Sequence, residues 1–145
     1  MAMTVDAERM LRRVVTDVFG RNIDVELSTD AGKYPLHRAR ITSTDGRPTD
    51  VVLGIGSTRI SAWISELDVG YVEIEEDGDE DELESSLRTS AKILHAFTHG
   101  EGRVEYRPTL FRRRPRPIFV VDVDGLEYQL GRRTARIGPS SSQSN

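Results

Sequence analysis

The sequence predicts an α+β fold, with a mostly antiparallel β-sheet of about seven or eight strands and two helices packed on one face. Two segments carry apolar residues at helical spacing. Most of the remaining chain alternates apolar and polar residues, and short turn sequences separate the alternating runs. Strands that follow one another through short connections pair antiparallel, and helices cover one face of such a sheet.

The first helix is predicted over residues 4–19. Its apolar side chains form a single stripe, made up of Ala7, Leu11, Val14, Val15, Val18 and Phe19. Thr4 is the expected N-cap, because its hydroxyl can accept a hydrogen bond from a free backbone N–H of the first turn. Gly20 is expected to end the helix, since glycine adopts the left-handed conformation of helix ends without strain.

About five strands are expected between the two helices, because apolar–polar alternation recurs there. They are placed at residues 23–27, 36–43, 51–53, 59–64 and 68–76. Residues 54–57 are interpreted as the turn of a hairpin between the third and fourth of these strands. In the last strand the alternation puts Tyr71 and Glu73 on one side of the sheet, and Val72 and Ile74 on the other.

The second helix is predicted over residues 79–98. Its inner stripe is made up of Leu83, Leu87, Ala91, Leu94 and Phe97. The helix begins with four consecutive acids, Asp79 to Glu82. Acids are favoured in the first turn because the helix dipole is positive there.

Two or three strands are expected after this helix, at residues 103–109, 118–123 and 126–130. Asp124 and Gly125, between the last two, are a strong signal for a two-residue hairpin. Pro115 and Pro117 precede them. Because proline cannot donate a hydrogen bond to a neighbouring strand, no inner strand is expected through residues 111–117.

A single domain is expected over residues 1–137, because domains usually contain about 100–150 residues and no linker divides the chain. Residues 138–145 are rich in serine and poor in apolar residues, which predicts a disordered tail. No apolar run approaches the ~20 residues needed to cross a bilayer, and acids near the N-terminus argue against a signal peptide. Together with the absence of cysteine, these features predict a cytoplasmic protein without membrane contact.

The absence of cysteine also excludes a disulfide scaffold, a thiolate zinc site and a cysteine nucleophile. The sequence contains no P-loop, no nucleophile elbow and no lysine embedded in a predicted strand. With three histidines and two lysines, it offers few general bases with a pKa near neutrality. We therefore assign no catalytic residue, metal or cofactor, and a non-enzymatic protein is favoured over an enzyme.

The net charge of −4 conceals an uneven distribution. Residues 66–84 hold eleven acids and no base, whereas residues 85–145 hold eleven bases and five acids. Such segregation predicts a strongly negative face and a separate positive loop. The acidic segment either only keeps a helix start and a strand edge solvated, or forms a docking face. Complementary charge raises association rates and sets the register of a complex.

The leading hypothesis is a non-enzymatic protein-binding module, in particular an acidic immunity or inhibitor protein that occludes a basic toxin or nuclease. The carboxylates would contact lysines and arginines with which that partner otherwise binds its substrate. Tyr71, Val72 and Ile74 would supply apolar anchors, with Trp63 nearby in the chain. The predicted partner-binding residues are Trp63, Tyr71, Glu73, Glu75, Glu76, Asp77, Asp79, Glu80, Asp81, Glu82 and Glu84.

An alternative hypothesis is a nucleic-acid-associated module. Its contacts would come from a basic loop comprising Phe111, Arg112, Arg113, Arg114 and Arg116. Guanidinium groups neutralise phosphates, and an aromatic ring can stack on a base. The acidic segment argues against this function, because it would repel a polyanion.

A second alternative is a small enzyme or metal protein. Asp122 and Asp124 could hold a divalent cation, and His95 and His99 lie four residues apart on one helix face. Each pair also has a local explanation, since aspartate is common before glycine in turns and histidine is favoured near a helix C-terminus. The sequence does not decide whether the chain forms a homodimer.

Overall fold

A computed structural model describes residues 7–21, 23–30, 32, 35–43, 50–56, 58–74, 79–108 and 115–131. In chain order the elements are α1 (Ala7–Phe19), β1 (Ile23–Asp30), β2 (Leu36–Ser43), β3 (Asp50–Ile55), β4 (Arg59–Ile64), β5 (Val69–Ile74), α2 (Glu80–Thr98), β6 (Arg103–Arg107), β7 (Arg116–Val123) and β8 (Leu126–Leu130). The predicted α+β class is confirmed. The expected disordered tail lies outside the described residues.

The strands form two antiparallel sheets, a division that the sequence did not indicate. Strands β1 to β5 pair in chain order in a five-stranded sheet, and β6 to β8 form a three-stranded sheet with β7 in the middle. The two sheets meet where the backbone N–H of Gly70, in β5, donates a hydrogen bond to the carbonyl of Gly131, just after β8, at 3.0 Å. The end of β8 therefore lies beside β5.

The helices pack against each other and against one face of the five-stranded sheet, where they enclose the core. Within that core, the side chains from the sheet that are fully buried include Ala39, Ile41, Val51, Leu53, Ile60 and Ala62. Leu11 and Val14 of α1 and Leu87 and Leu94 of α2 are equally buried. Each buried valine, leucine or isoleucine among them stabilises the fold by about 1.5–3 kcal/mol through the hydrophobic effect.

The predicted helix boundaries hold wherever the structure describes them. Gly20 has φ +81°, and its N–H donates to the carbonyl of Thr16 at 3.0 Å, which ends α1 as expected. Asp79 caps α2 in a reciprocal pattern: its carboxylate accepts from the Glu82 N–H, while the Glu82 carboxylate accepts from the Asp79 N–H. The expected N-cap of α1, Thr4, lies outside the described residues.

The three-stranded sheet confirms one sequence prediction, at the β7–β8 turn, and overturns another, within β7. Asp124 and Gly125 both have positive φ, as a two-residue hairpin requires. Pro117, however, lies within β7, the middle strand of its sheet. Its position explains this, because β8 ends at Leu130, opposite Phe119. Among the described residues, Pro117 has a neighbouring strand on the β6 side alone, so no ladder bond with β8 is lost.

Candidate docking surface on the open sheet face

The face of the five-stranded sheet that points away from the helices presents every second residue of β3, β4 and β5. The strand register aligns these side chains in rows. Val52, Trp63 and Gly70 form one row, and Gly54, Ser61 and Val72 form the next. Since both helices pack on the opposite face, this open face is exposed to solvent in the part of the chain that the structure describes.

A groove of about 730 Å³ lies on the open face. Its apolar side chains include Leu36, Val52, Trp63, Val72 and Ile74. Val72 is 48% exposed and Ile74 is 59% exposed, although both are large aliphatic residues. Binding sites commonly measure about 300–1,000 Å³, and contiguous exposed apolar surface is typical of interaction sites.

Two glycines on the open face leave space for the side chains opposite them on β4. A Cβ at Gly70 would fall on the indole ring of Trp63 and on the carbonyl oxygen of Ala62, and a Cβ at Gly54 would fall on the Ser61 hydroxyl. The Trp63 ring therefore lies directly over the Gly70 backbone. The sequence predicted that residues 54–57 form a hairpin turn, but not all of them do. Gly54 is part of β3 and pairs with Ser61.

Three arginines lie on the open face, and they differ in whether they have a partner. Arg38 forms an ion pair with Asp30, and Arg40 pairs with Asp50 at 2.7 Å. The hydrogen bond from Arg40 holds the pKa of the Asp50 carboxyl below its ordinary value. Arg59 lines the groove beside Ile74, and no described carboxylate lies within ion-pair distance of it. Of the three, Arg59 is the one whose guanidinium has no carboxylate partner among the described residues.

The predicted apolar anchors do not all lie on one face. Trp63 is half-buried in the groove, and Val72 and Ile74 lie beside it. The side chain of Tyr71 belongs to the core on the helix side, where it is 3% exposed and its hydroxyl is hydrogen-bonded to Ser90 of α2. The structure thus brings Trp63 together with the two aliphatic residues and places Tyr71 against a helix.

Several acids of the segment 66–84 have structural roles. Asp79 and Glu82 form the capping pattern that begins α2. Glu84 accepts hydrogen bonds from Arg13 of α1 and Arg88 of α2, both at 2.8 Å. Arg88 first, and then Arg13, lower the pKa of the Glu84 carboxyl. Glu84 therefore ties the two helices together, and its charge is already compensated.

Other acids of this segment point into solvent. Glu80 and Asp81, in the first turn of α2, are exposed and make no hydrogen bond or ion pair with any described residue. Glu73 is half-buried in β5 and has an interaction within the molecule. Glu75, Glu76 and Asp77 lie outside the described residues. Among the described acids of residues 66–84, Glu80 and Asp81 are therefore the ones without a partner.

The basic loop of the nucleic-acid hypothesis falls mostly outside the described residues. These undescribed positions are Phe111, Arg112, Arg113 and Arg114. Arg116 is exposed at the start of β7, directly opposite Arg107 of β6. The nucleic-acid hypothesis stays a prediction.

The two aspartates of the metal hypothesis have different surroundings. Asp124 has φ +53° in the hairpin turn and forms an ion pair with Lys92 of α2 at 3.0 Å. Asp122 is exposed on β7, opposite Glu127. Asp124 thus has the turn role that its position before glycine indicates.

The two histidines stack at the end of α2. The ring centroids of His95 and His99 are 4.0 Å apart. The rings of Phe19 and His95 meet edge to face, with their centroids 5.4 Å apart. Burial, and then the nearby His99, lower the pKa of His95. Across the described ranges, no three His, Cys, Asp or Glu side chains are grouped so that they could hold a metal ion.

Comparison of the chain with protein-family models, with curated proteins and with solved structures gives no match. Function is therefore inferred from residues and geometry alone. No helix in the described ranges is both long and apolar enough to span a membrane.

Proposed function

We propose that this chain is a non-enzymatic protein-binding module, and that its partner docks in the groove on the open sheet face. The observation that carries the proposal is the cluster of half-buried Trp63 with exposed Val72 and Ile74 within a groove of about 730 Å³. Tryptophan is enriched among residues that dominate binding energy, particularly where it lies in a well-packed depression. A rigid sheet presents such an anchor with little loss of conformational freedom on binding.

The finer proposal is an inhibitor that also contacts a basic partner through the start of α2. It is supported by the exposed carboxylates of Glu80 and Asp81, and by the eleven acids between residues 66 and 84. Asp79 follows Ile74 by five residues, which can span at most about 17 Å of extended chain. One partner could therefore cover both the groove and the acidic helix start.

Affinity capture with matched variants tests the groove. The immobilised wild-type chain is compared with the double variant Val72→Ser/Ile74→Ser, using lysate and then each identified protein in purified form. Both positions are exposed, so the fold is expected to persist. Leu126→Ser is the control, because Leu126 is 40% exposed on the other sheet. We expect a protein that the double variant fails to retain and the control retains; equal retention by all three would overturn the groove as the docking site.

A salt series tests the inhibitor version separately. At ~50 mM salt, where screening is weak, a basic protein should be retained by the wild-type chain and released as salt rises. Glu80→Lys/Asp81→Lys should abolish this retention, whereas the same changes at the exposed Asp24 and Glu26 of β1 should not. If no basic protein is retained at low salt, the inhibitor version fails, while the groove proposal is judged by its own variants.

A further inference from the structure

We propose that the groove selects a partner segment in which an acidic residue lies close to a large apolar residue. In this arrangement Arg59 pairs with the carboxylate, and the apolar side chain packs against Trp63. This inference rests on the proposed function and adds the chemistry of the docked segment. Among the arginines of the open face, Arg38 and Arg40 have carboxylate partners, whereas Arg59 has none among the described residues.

Arg59 is half-buried in a groove whose other walls are mainly apolar. A cation in such a setting has lost part of its hydration, and no described residue supplies a counter-ion. A carboxylate that enters the groove restores that loss through charge-assisted hydrogen bonds, which are stronger than neutral ones. A basic or neutral segment would leave the guanidinium unpaired, so charge complementarity favours an acidic residue at this end.

The apolar end of the groove is separated from the charged end. Trp63 and Arg59 lie four residues apart on the same face of β4, a distance of roughly 13 Å. Ser61 and Gly54 lie between them and contribute little side-chain volume, while Val72 and Ile74 form the wall on β5. About four residues of an extended chain span the same distance, so both contacts are within reach of one short segment.

The chain's own C-terminal residues have the wrong charge for this groove. Gly131, the last described residue, is hydrogen-bonded to Gly70 at its edge. Residues 132–145 contain three arginines and no acid. These arginines and Arg59 would repel each other, which disfavours residues 132–145 as the occupant and favours a partner protein.

Selection from a phage-displayed library of random dodecapeptides tests the inference, with the full chain as bait. Binders that are lost on Val72→Ser/Ile74→Ser identify the groove. Among these binders we expect Asp or Glu to be enriched within four residues of Leu, Phe or Trp. A synthetic peptide of the enriched type, titrated against the fluorescence of Trp63, the chain's single tryptophan, should bind about five- to tenfold more tightly than its Asn or Gln counterpart.

Arg59→Gln should remove the difference in affinity between the acidic and the amide peptide. The variant should still bind peptides selected for their apolar residue. Arg9→Gln, on the exposed side of α1, is the matched control and should change nothing. Groove binders without acidic enrichment would overturn this inference and leave the proposed function intact. If no binder depends on Val72 and Ile74, the proposed function fails as well. A dimer in light scattering that the same double variant dissociates would show that a second copy is the occupant, which also overturns the inference.

Discussion

Trp63 and Gly70 lie directly opposite each other on β4 and β5, and the indole ring occupies the space that a Cβ at position 70 would need. Glycine in a strand interior normally weakens the sheet by about 0.5–1 kcal/mol relative to alanine. Here the cross-strand ring covers the bare backbone. The pair therefore sets both the position of the indole and the shape of the groove.

Gly70→Ala is expected to displace the Trp63 ring, because the new methyl group has no space beside Cε3 of Trp63 and the carbonyl of Ala62. The free energy of unfolding should fall by about 1–3 kcal/mol, as overpacking usually costs. The fluorescence of Trp63 should also change, since the ring moves toward solvent. Urea unfolding and emission spectra measure both effects. Gly32→Ala is the control, because a Cβ added at Gly32 would have no described atom within 4 Å, and the φ of Gly32 is not positive.

Asp79→Ala should destabilise the protein by about 0.5–2 kcal/mol, because the change removes the acceptor for the Glu82 N–H at the start of α2. Asp81→Ala is the matched control in the same helical turn, and Asp81 has no partner among the described residues. Urea unfolding at neutral pH compares the two. Equal losses would show that general charge at the helix start matters, and not the cap.

Glu84→Gln should lower stability at pH 7 by roughly 1 kcal/mol, because it weakens the contacts of residue 84 with Arg13 and Arg88. The lowered pKa of Glu84 sets the pH dependence. The stabilisation is complete above the pKa of the unfolded chain and is lost as the pH falls through the lower folded value. The gap between wild type and variant should therefore narrow below about pH 4. A gap that is constant from pH 7 to pH 3 would contradict an ionic role.

His95 predicts a second, separate pH effect. Its pKa is lowered by burial, so the unfolded chain binds the proton more readily than the folded protein does. Stability should decrease as the pH falls from about 7 through the ordinary histidine range near 6.5. His95→Gln should flatten that decrease in thermal unfolding measured between pH 7 and pH 5.5.

Much of the fold could be predicted because its determinants are local. The end of α1 at Gly20 depends on one positive φ value, and the turn at Asp124 depends on two adjacent residues. Alternation in β5 was also sufficient to separate Val72 from Tyr71. Pro117 was misjudged because its tolerance depends on where β8 ends, and that is a property of strand pairing.

The candidate site was predicted only in part, because it depends on strand register. The sequence drew attention to Trp63, yet the glycine beneath its ring is seven residues further along the chain. A density of acids was visible as well, but not which of them has a partner. Glu84 meets Arg13, which lies 71 positions away in the chain, and such a contact leaves no local signal.

The hydrogen bond between Gly70 and Gly131 has a consequence for the way in which this molecule can recognise anything. It occupies a backbone donor on the outer side of β5, so at that point an incoming strand cannot simply lengthen the sheet. At the opposite edge of the sheet, β1 carries Asp24, Glu26 and Asp30. Charged residues on an edge strand discourage pairing with another strand. A partner of the five-stranded sheet must instead contact its side chains. Side-chain contacts discriminate between amino-acid sequences in a way that main-chain pairing cannot.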